Sequence, residues 1–417
     1  MRLRPPNPKP AQPTSQRSAS LASSVGWGLL FIASKLTAPW KPVPSTPVTG
    51  APAISTSTPI SILTLDGGGI RGRNQIALVA ELEELTGAPL AVQFDLVAGT
   101  SIGGCGALFI SRYPLPGEAA RQARRAMTEL QYRCFAESSK RRLLSEGHYC
   151  ADARRRFTED VCGNVPCCGG AGPHAFALAA RRGRRGQLEP FLFRTYPHRQ
   201  GSLAGTHTAQ LFQAIEATSA APFMFPSSQL DGDNLADGGM IANDPTLIAL
   251  KEARELWPSR PIGLLLSIGT GEEKNVDCFD FSEGGGEHTQ LGRAYECDKS
   301  DGVQSLWQRG GEGAADRDVV GREARRLLEI ADAVRERSPK CDAPHGYFRF
   351  QPPVGGVSPI EHNESKLRIM EAGAEDYFRQ SHALRALCQI LEHNRQQRAV
   401  SSPGSSSLNG PDRSGDG

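Results

Sequence analysis

Acidic residues are missing from the first 65 positions, which hold six basic ones: Arg2, Arg4, Lys9, Arg17, Lys35 and Lys41. With its Pro, Ser and Thr content, such a stretch lacks the apolar residues to fill a core, so 1–60 reads as a largely disordered basic leader. The apolar run Val25–Ala33 within it is far shorter than the roughly 20 residues needed to span a bilayer. An acid-free, Arg- and Ser-bearing start suits an organellar transit peptide, for a plastid or mitochondrion, and equally a non-targeting tail. Paired cysteines are also absent. Ten are scattered, and the cluster Cys162, Cys167 and Cys168 has no second pair or histidine spacing to complete a zinc site. Free thiols in an intracellular, reducing setting are the expectation, with no metal or cofactor. No calcium-loop spacing and no internal repeat is present.

What is present begins with an alternation of short apolar strands (61–65, 94–98, 174–179, 189–194, 262–268) with helical stretches. That pattern predicts an α/β fold with a largely parallel sheet, whose reactive groups lie beyond the carboxyl ends of its strands. The strand at 94–98 runs into Gly99-Thr100-Ser101-Ile102-Gly103, a G-x-S-x-G turn that holds a serine between strand and helix. The strand at 61–65 runs into Asp66-Gly67-Gly68-Gly69-Ile70-Arg71-Gly72, followed by a helix over 74–85 that Gly87 stops. Successive glycines leave amides free at a helix start, which suits a negative charge such as a tetrahedral oxyanion. A phosphate loop is the rival reading, but no Lys-Ser/Thr follows, and no acidic residue stands at a strand end about 20 positions on.

A third element is Leu235-Ala236-Asp237-Gly238-Gly239, between a helix predicted over 207–218 and another opened by Asn243-Asp244-Pro245. Flanking glycines let Asp237 approach a serine closely, whereas Asp244 reads as a helix cap and Asp231 and Asp233 as turn residues. Together these residues resemble the patatin-like phospholipase family, and within it the calcium-independent phospholipase A branch. The resemblance extends to Pro190–Tyr196, Ala217–Pro222 and Leu264–Gly271, and more weakly to Gly346–Phe350.

The resemblance implies a three-layer α/β/α fold related to the α/β-hydrolase type. It implies a Ser–Asp dyad with Ser101 as nucleophile and Asp237 as base, and no histidine. The oxyanion would face the amides of Gly67, Gly68, Gly69 and Ile102. Asp66, Arg71, Gly72, Gly99, Gly103, Gly238 and Gly239 would support these groups, Arg71 either stiffening its loop or meeting a lipid phosphate. A dry site would raise the pKa of Asp237 and make it a working base. A conventional triad would draw its histidine from His288, His345 or His362.

The activity implied is a lipid acyl hydrolase acting on glycerophospholipids or galactolipids at a bilayer surface through an acyl-enzyme. A triacylglycerol lipase and a non-catalytic lipid-binding protein on the same fold are the alternatives. Phe223, Met224 and Phe225 are candidates for an acyl groove or for plain core. Residues 112–199 carry 17 basic against 8 acidic side chains, including Lys140–Arg142, Arg154–Arg156 and Arg181–Arg185. Without aromatic interleaving this suggests attraction to anionic lipid, or equally a plain solvated surface, rather than nucleic acid. The expected organisation is a catalytic domain over 61–396, with its motifs in 62–250 and a helical part over 273–396 (helices at 317–337 and 363–396), then a disordered tail at 397–417.

Overall fold

The computed structural model describes residues 59–136, 149, 151–183, 187–198, 201–222, 224–271 and 346–400. The leader up to residue 58, Lys140–Arg142, Arg184, Arg185, Phe223, the helix expected at 317–337 and residues 401–417 lie outside the described residues, whereas 397–400 of the expected disordered tail are helical.

Strand β1 (Ile60–Leu65) is buried at all six positions, its Ile, Thr and Leu side chains, with Ser61 among them, covered on both faces. It lies between two parallel neighbours, β2 (Leu96–Thr100) and β8 (Ile262–Ile268). Around them are β3 (His174–Arg182), β4 (Leu188–Arg194), β5 (Ala204–Thr206), β6 (Ser228–Leu230), β7 (Asp233–Asp237) and β9 (Gly346–Phe350). The main path of the sheet runs β5-β4-β3-β2-β1-β8-β9, with β7 added beside β3 and β6 beside β7. Five of the strands, β3, β2, β1, β8 and β9, are mutually parallel.

The helices are α1 (Arg73–Thr86), α2 (Ile102–Arg112), α3 (Glu118–Leu130), α4 (Ala151–Cys162), α5 (Leu211–Thr218), α6 (Thr246–Leu256), α7 (Glu364–Gln380) and α8 (His382–Val400). One sheet face, with Ile60, Ile62, Leu96, Ala98, Phe176 and Leu178, packs on Ile248, Ala249 and Leu250 of α6. On the other face α2 lies against β1, β2 and β3, and α7 and α8 pack on α1. Sheet between helices makes the three-layer α/β/α arrangement. Each fully buried Leu or Ile in these layers contributes roughly 1.5–3 kcal/mol relative to exposure.

The helix expected over 207–218 starts only at Leu211, where the Gln210 N–H just before it donates to Gln213 Oε1 at 2.9 Å. Asp233 belongs to β7 rather than to a turn, while Asp231 turns with φ 50°.

Strand β3 is long enough to serve two partners along one edge. Its first half pairs with β2 as far as Leu178 opposite Thr100. Its second half pairs antiparallel with β7, beginning at Ala179 opposite Asp237. Strand β4 occupies the other edge of β3, so β2 and β7 meet end to end. Residue 237 takes the place on β3 that residue 101 would have taken had β2 continued.

Candidate active site

Ser101 departs from β2 with φ 54° and ψ −121°, a conformation that costs a non-glycine residue on the order of 1–3 kcal/mol. The surroundings hold it there. Its N–H donates to Thr218 Oγ1 at 3.0 Å, and the Thr218 hydroxyl donates in turn to the Leu178 carbonyl at 2.5 Å. The Ser101 carbonyl accepts from Cys105 N at 3.1 Å and opens α2. A Cβ on Gly103 would stand 2.2 Å from the Leu65 carbonyl oxygen, so glycine alone lets α2 sit this close to the end of β1.

Asp237, at the end of β7, accepts the Ser101 hydroxyl on Oδ2 at 2.7 Å. Its other oxygen, Oδ1, accepts from Gly239 N at 2.7 Å, and its own N–H donates to the Ala220 carbonyl at 3.0 Å. A Cβ on Gly238 would come within 2.2 Å of the Leu178 carbonyl oxygen. The two polar groups, 136 positions apart in the chain, thus share the segment Thr218–Ala220 as a common support. Both are buried, Asp237 to 1% exposure. Burial pushes the Asp237 carboxyl up to about 6, against the opposing effects of the Gly239 N–H, the Ser101 hydroxyl and the Arg154 charge.

The glycine-rich loop lies alongside, because Leu65 pairs with Gly99 and the next residues of β1 and β2 leave the sheet together. A Cβ on Gly67 would be 3.3 Å from Ser101 Cβ. One expected oxyanion donor is corrected here. The Gly67 N–H donates to the Asn243 carbonyl at 3.1 Å and is committed to the turn before α6. Among the described residues the N–H groups of Gly68, Gly69 and Ile102 have no backbone acceptor. The loop is braced from several sides. Thr270 Oγ1 donates to the Gly67 carbonyl at 3.0 Å, and Arg71 Nε donates to the Val357 carbonyl at 2.5 Å. Arg349 on β9 grips Asp66 in a two-point ion pair, with Nη1 to Oδ1 at 2.8 Å and Nη2 to Oδ2 closer still. That pair, with Asp244 nearby, holds the Arg349 guanidinium well above its ordinary range despite burial.

Ser101 and Asp237 open on a predominantly apolar pocket. Ile102, Phe109, Met127, Phe135, Met224 and Phe225 are among its walls. Arg154 is there too, which the basic run Arg154–Arg156 did not foreshadow. Whereas Arg155 and Arg156 are exposed, Arg154 is buried, donates through Nη2 to the Glu216 carbonyl and the Ser219 hydroxyl, and stacks over the Phe225 ring. Cys105, also in the wall, is a free thiol pushed up to about 12 by burial.

Among the described residues no histidine lines this pocket. His362 is exposed before α7, and His288 and His345 lie outside the described residues. Asp244 Oδ1 accepts from Thr246 N at 2.9 Å and caps α6. Among the described residues one group, His198, Glu252 and Glu255, brings metal-type ligand atoms together. Glu252 there already pairs with Arg194 at 2.6 and 2.9 Å and accepts from Tyr196 at 2.8 Å, so its charge is compensated within the fold. Sequence reasoning gave Thr218 and Arg349 no role at the site, and it placed Arg154 on a basic surface for anionic lipid, which its burial corrects. Thr218 and Arg349 stood inside motifs, but their partners are separated from them by 117 and 283 positions.

A sequence model described as patatin-like phospholipase matches residues 63–250. The chain is 30% identical over 224 residues to the calcium-independent phospholipase A2-gamma of Oryctolagus cuniculus, covering 51% of this chain and 28% of that protein. It is 33% identical over 217 residues to a cGAMP-activated phospholipase of Pseudomonas aeruginosa, covering 50% and 62%. Phospholipase A I of Arabidopsis thaliana is 26% identical over 273 residues, covering 51% of this chain and 21% of the relative. The chain therefore spans less than two thirds of the length of each of these relatives.

Proposed function

Residues 63–250 belong to the patatin-like phospholipase family, and on that premise we propose that this chain is a lipid acyl hydrolase of phospholipase A type. Ser101 is the nucleophile and Asp237 the base in this reading. The observation that carries it is the 2.7 Å hydrogen bond between their side chains at the wall of an apolar pocket.

The chemistry follows from the geometry. The Ser101 oxygen attacks the ester carbonyl while its proton passes to Asp237 Oδ2. Negative charge developing on the carbonyl oxygen is met by the unoccupied N–H groups of Gly68, Gly69 and Ile102, each well-aimed donor being worth about 3–4 kcal/mol. Collapse expels the lysolipid oxygen, which takes the proton from Asp237, and leaves an acyl-serine with its chain in the pocket. Water then gives a proton to Asp237 and attacks the acyl carbonyl, and Ser101 recovers its proton as the fatty acid leaves. None of these steps draws on calcium, so turnover should persist in excess EDTA.

Substrates in this reading are glycerophospholipids or galactolipids, in lipid breakdown or membrane remodelling, met at a bilayer surface. Among the described residues no helix is long and apolar enough to cross a membrane. Exposed Arg155 and Arg156 favour an anionic surface, at about 1 kcal/mol per basic residue near it. We assign the catalytic domain to 61–396. A fluorophosphonate probe tests the core of the proposal. It should label the protein covalently, and Ser101→Ala should abolish the label. Labelling that survives Ser101→Ala would remove the nucleophile assignment.

A further inference from the structure

Arg154 is a charged group in a place built for hydrocarbon. It projects from α4 into the pocket wall, 5% exposed, with its guanidinium carbon 4.4 Å from the centre of the Phe225 ring. Among the described residues no carboxylate approaches it within ion-pair distance. The carboxylates whose charges act on it are Glu216, which accepts from Thr158 Oγ1 at 3.1 Å, and Asp237 in the same pocket. Its hydrogen bonds, to the Glu216 carbonyl and to Ser219 Oγ at 3.1 Å, both come from Nη2. A guanidinium carries five N–H donors in a planar fork that matches a carboxylate at two points. Among the described residues Nε and Nη1 have no hydrogen-bond partner, and because each two-point edge includes the engaged Nη2, they offer an acceptor single, charge-assisted N–H donors.

A plain methylene chain in this pocket has nothing to offer those donors and must lie against a buried cation. A chain with an oxygen acceptor beyond the ester can bond them, and a chain ending in a carboxylate can also neutralise the charge. We infer that Arg154 is a recognition group within the acyl pocket, selecting acyl chains that carry an oxygen acceptor, above all a terminal carboxylate, over unmodified hydrocarbon. The inference rests on the hydrolase reading for its substrate orientation, since the ester must sit at Ser101 for the rest of the chain to reach Arg154.

The test uses two esters that differ in one group: 4-nitrophenyl nonanoate, and the 4-nitrophenyl monoester of azelaic acid, which has a carboxylate where the first has a methyl. The full-length protein should favour the azelate ester in kcat/KM, and Arg154→Met should lower the azelate-to-nonanoate ratio by about 100-fold, as loss of a buried charge partner does. Arg154→Lys, which keeps the charge but not the fork, should lower the ratio less, and it serves if Arg154→Met does not fold. A ratio unmoved by both variants, or a full-length protein that prefers nonanoate, overturns the inference and makes Arg154 a brace for the 216–225 segment only. Calorimetry on Ser101→Ala separates this outcome from failure of the hydrolase reading. Monomethyl azelate should bind that protein more tightly than methyl nonanoate even if no ester is turned over, and equal binding counts against the inference.

Discussion

At the scale of single residues the controlling fact is that Asp237 is buried, while the proposed mechanism needs it in its charged form. Burial lifts its carboxyl to about 6 from an ordinary value of 3.8. As a base it works only when ionised, so kcat/KM should rise with pH through a limb near 6 and then level. The same shift has a stability consequence of opposite sense. A carboxyl whose folded-state value is raised favours the fold when protonated, below the unfolded-state value near 4. That contribution fades as pH climbs through about 6. Asp237→Asn mimics the neutral form, so at pH 8 it should raise stability by on the order of 1–3 kcal/mol while lowering turnover by a factor of roughly 10²–10⁴. The stability gain should vanish below about pH 4. Urea titrations at pH 8 and pH 4 check the first effect and ester turnover the second. A variant less stable than the parent at pH 8, or one that retains turnover, would contradict the assigned role. Ser101, Asp237 and the glycines beside them were readable from sequence because each stands in a short local motif. Arg154 was not, because a basic run looks the same whether its members face water or a pocket.

Between residue and molecule lies the question of how separate elements aim these groups. Strands β1, β2, β3, β4 and β8 were legible, since continuous apolar runs with both faces covered leave a plain signature. Strands β5, β6 and β7 were not, for they are three to five residues long and carry polar side chains. Nothing local in Asp-Asn-Leu-Ala-Asp announces that β3 can hold β2 and β7 end to end, yet that register delivers Asp237 to Ser101. The expected donor Gly67 failed for a related reason, its N–H being taken by Asn243, 176 positions away. β9 acts at this scale as well. Its Arg349 anchors Asp66, which leads directly into the glycine loop. Arg349→Lys keeps the charge but loses the two-point grip. It should lower kcat by roughly 10–100-fold through loss of the oxyanion donors' aim, while KM changes little. A purely structural brace would instead lower the melting temperature and leave kcat near that of the parent in the cold.

Considered whole, the molecule extends its working unit well past the last motif. The family match ends at residue 250, but Arg349 enters from β9, and β9 is held in place by α7. Phe378 of α7 is fully buried and meets Phe350 of β9 edge to face, ring centres 6.1 Å apart. Leu367, Met370 and Ala374 extend the same buried stripe, and Arg73 of α1 pairs with Glu364 at 3.2 Å and Glu371 at 3.3 Å. Further along, Arg398 of α8 reaches Asp95 at 2.6 Å, where Arg260 also pairs. The two C-terminal helices therefore clamp the side of the sheet that supplies Arg349. Phe378→Ala removes the centre of that clamp and should cost about 3–5 kcal/mol of stability, the range for a buried phenylalanine whose cavity cannot fully collapse. The site lies at a distance from the lost ring and should survive in whatever fraction stays folded. Fluorophosphonate labelling of Phe378→Ala at 10 °C should then approach the parental rate. At 37 °C it should fall in step with the folded fraction measured by circular dichroism. If labelling is lost in the cold while the protein remains folded, α7 shapes the site directly and is more than its clamp.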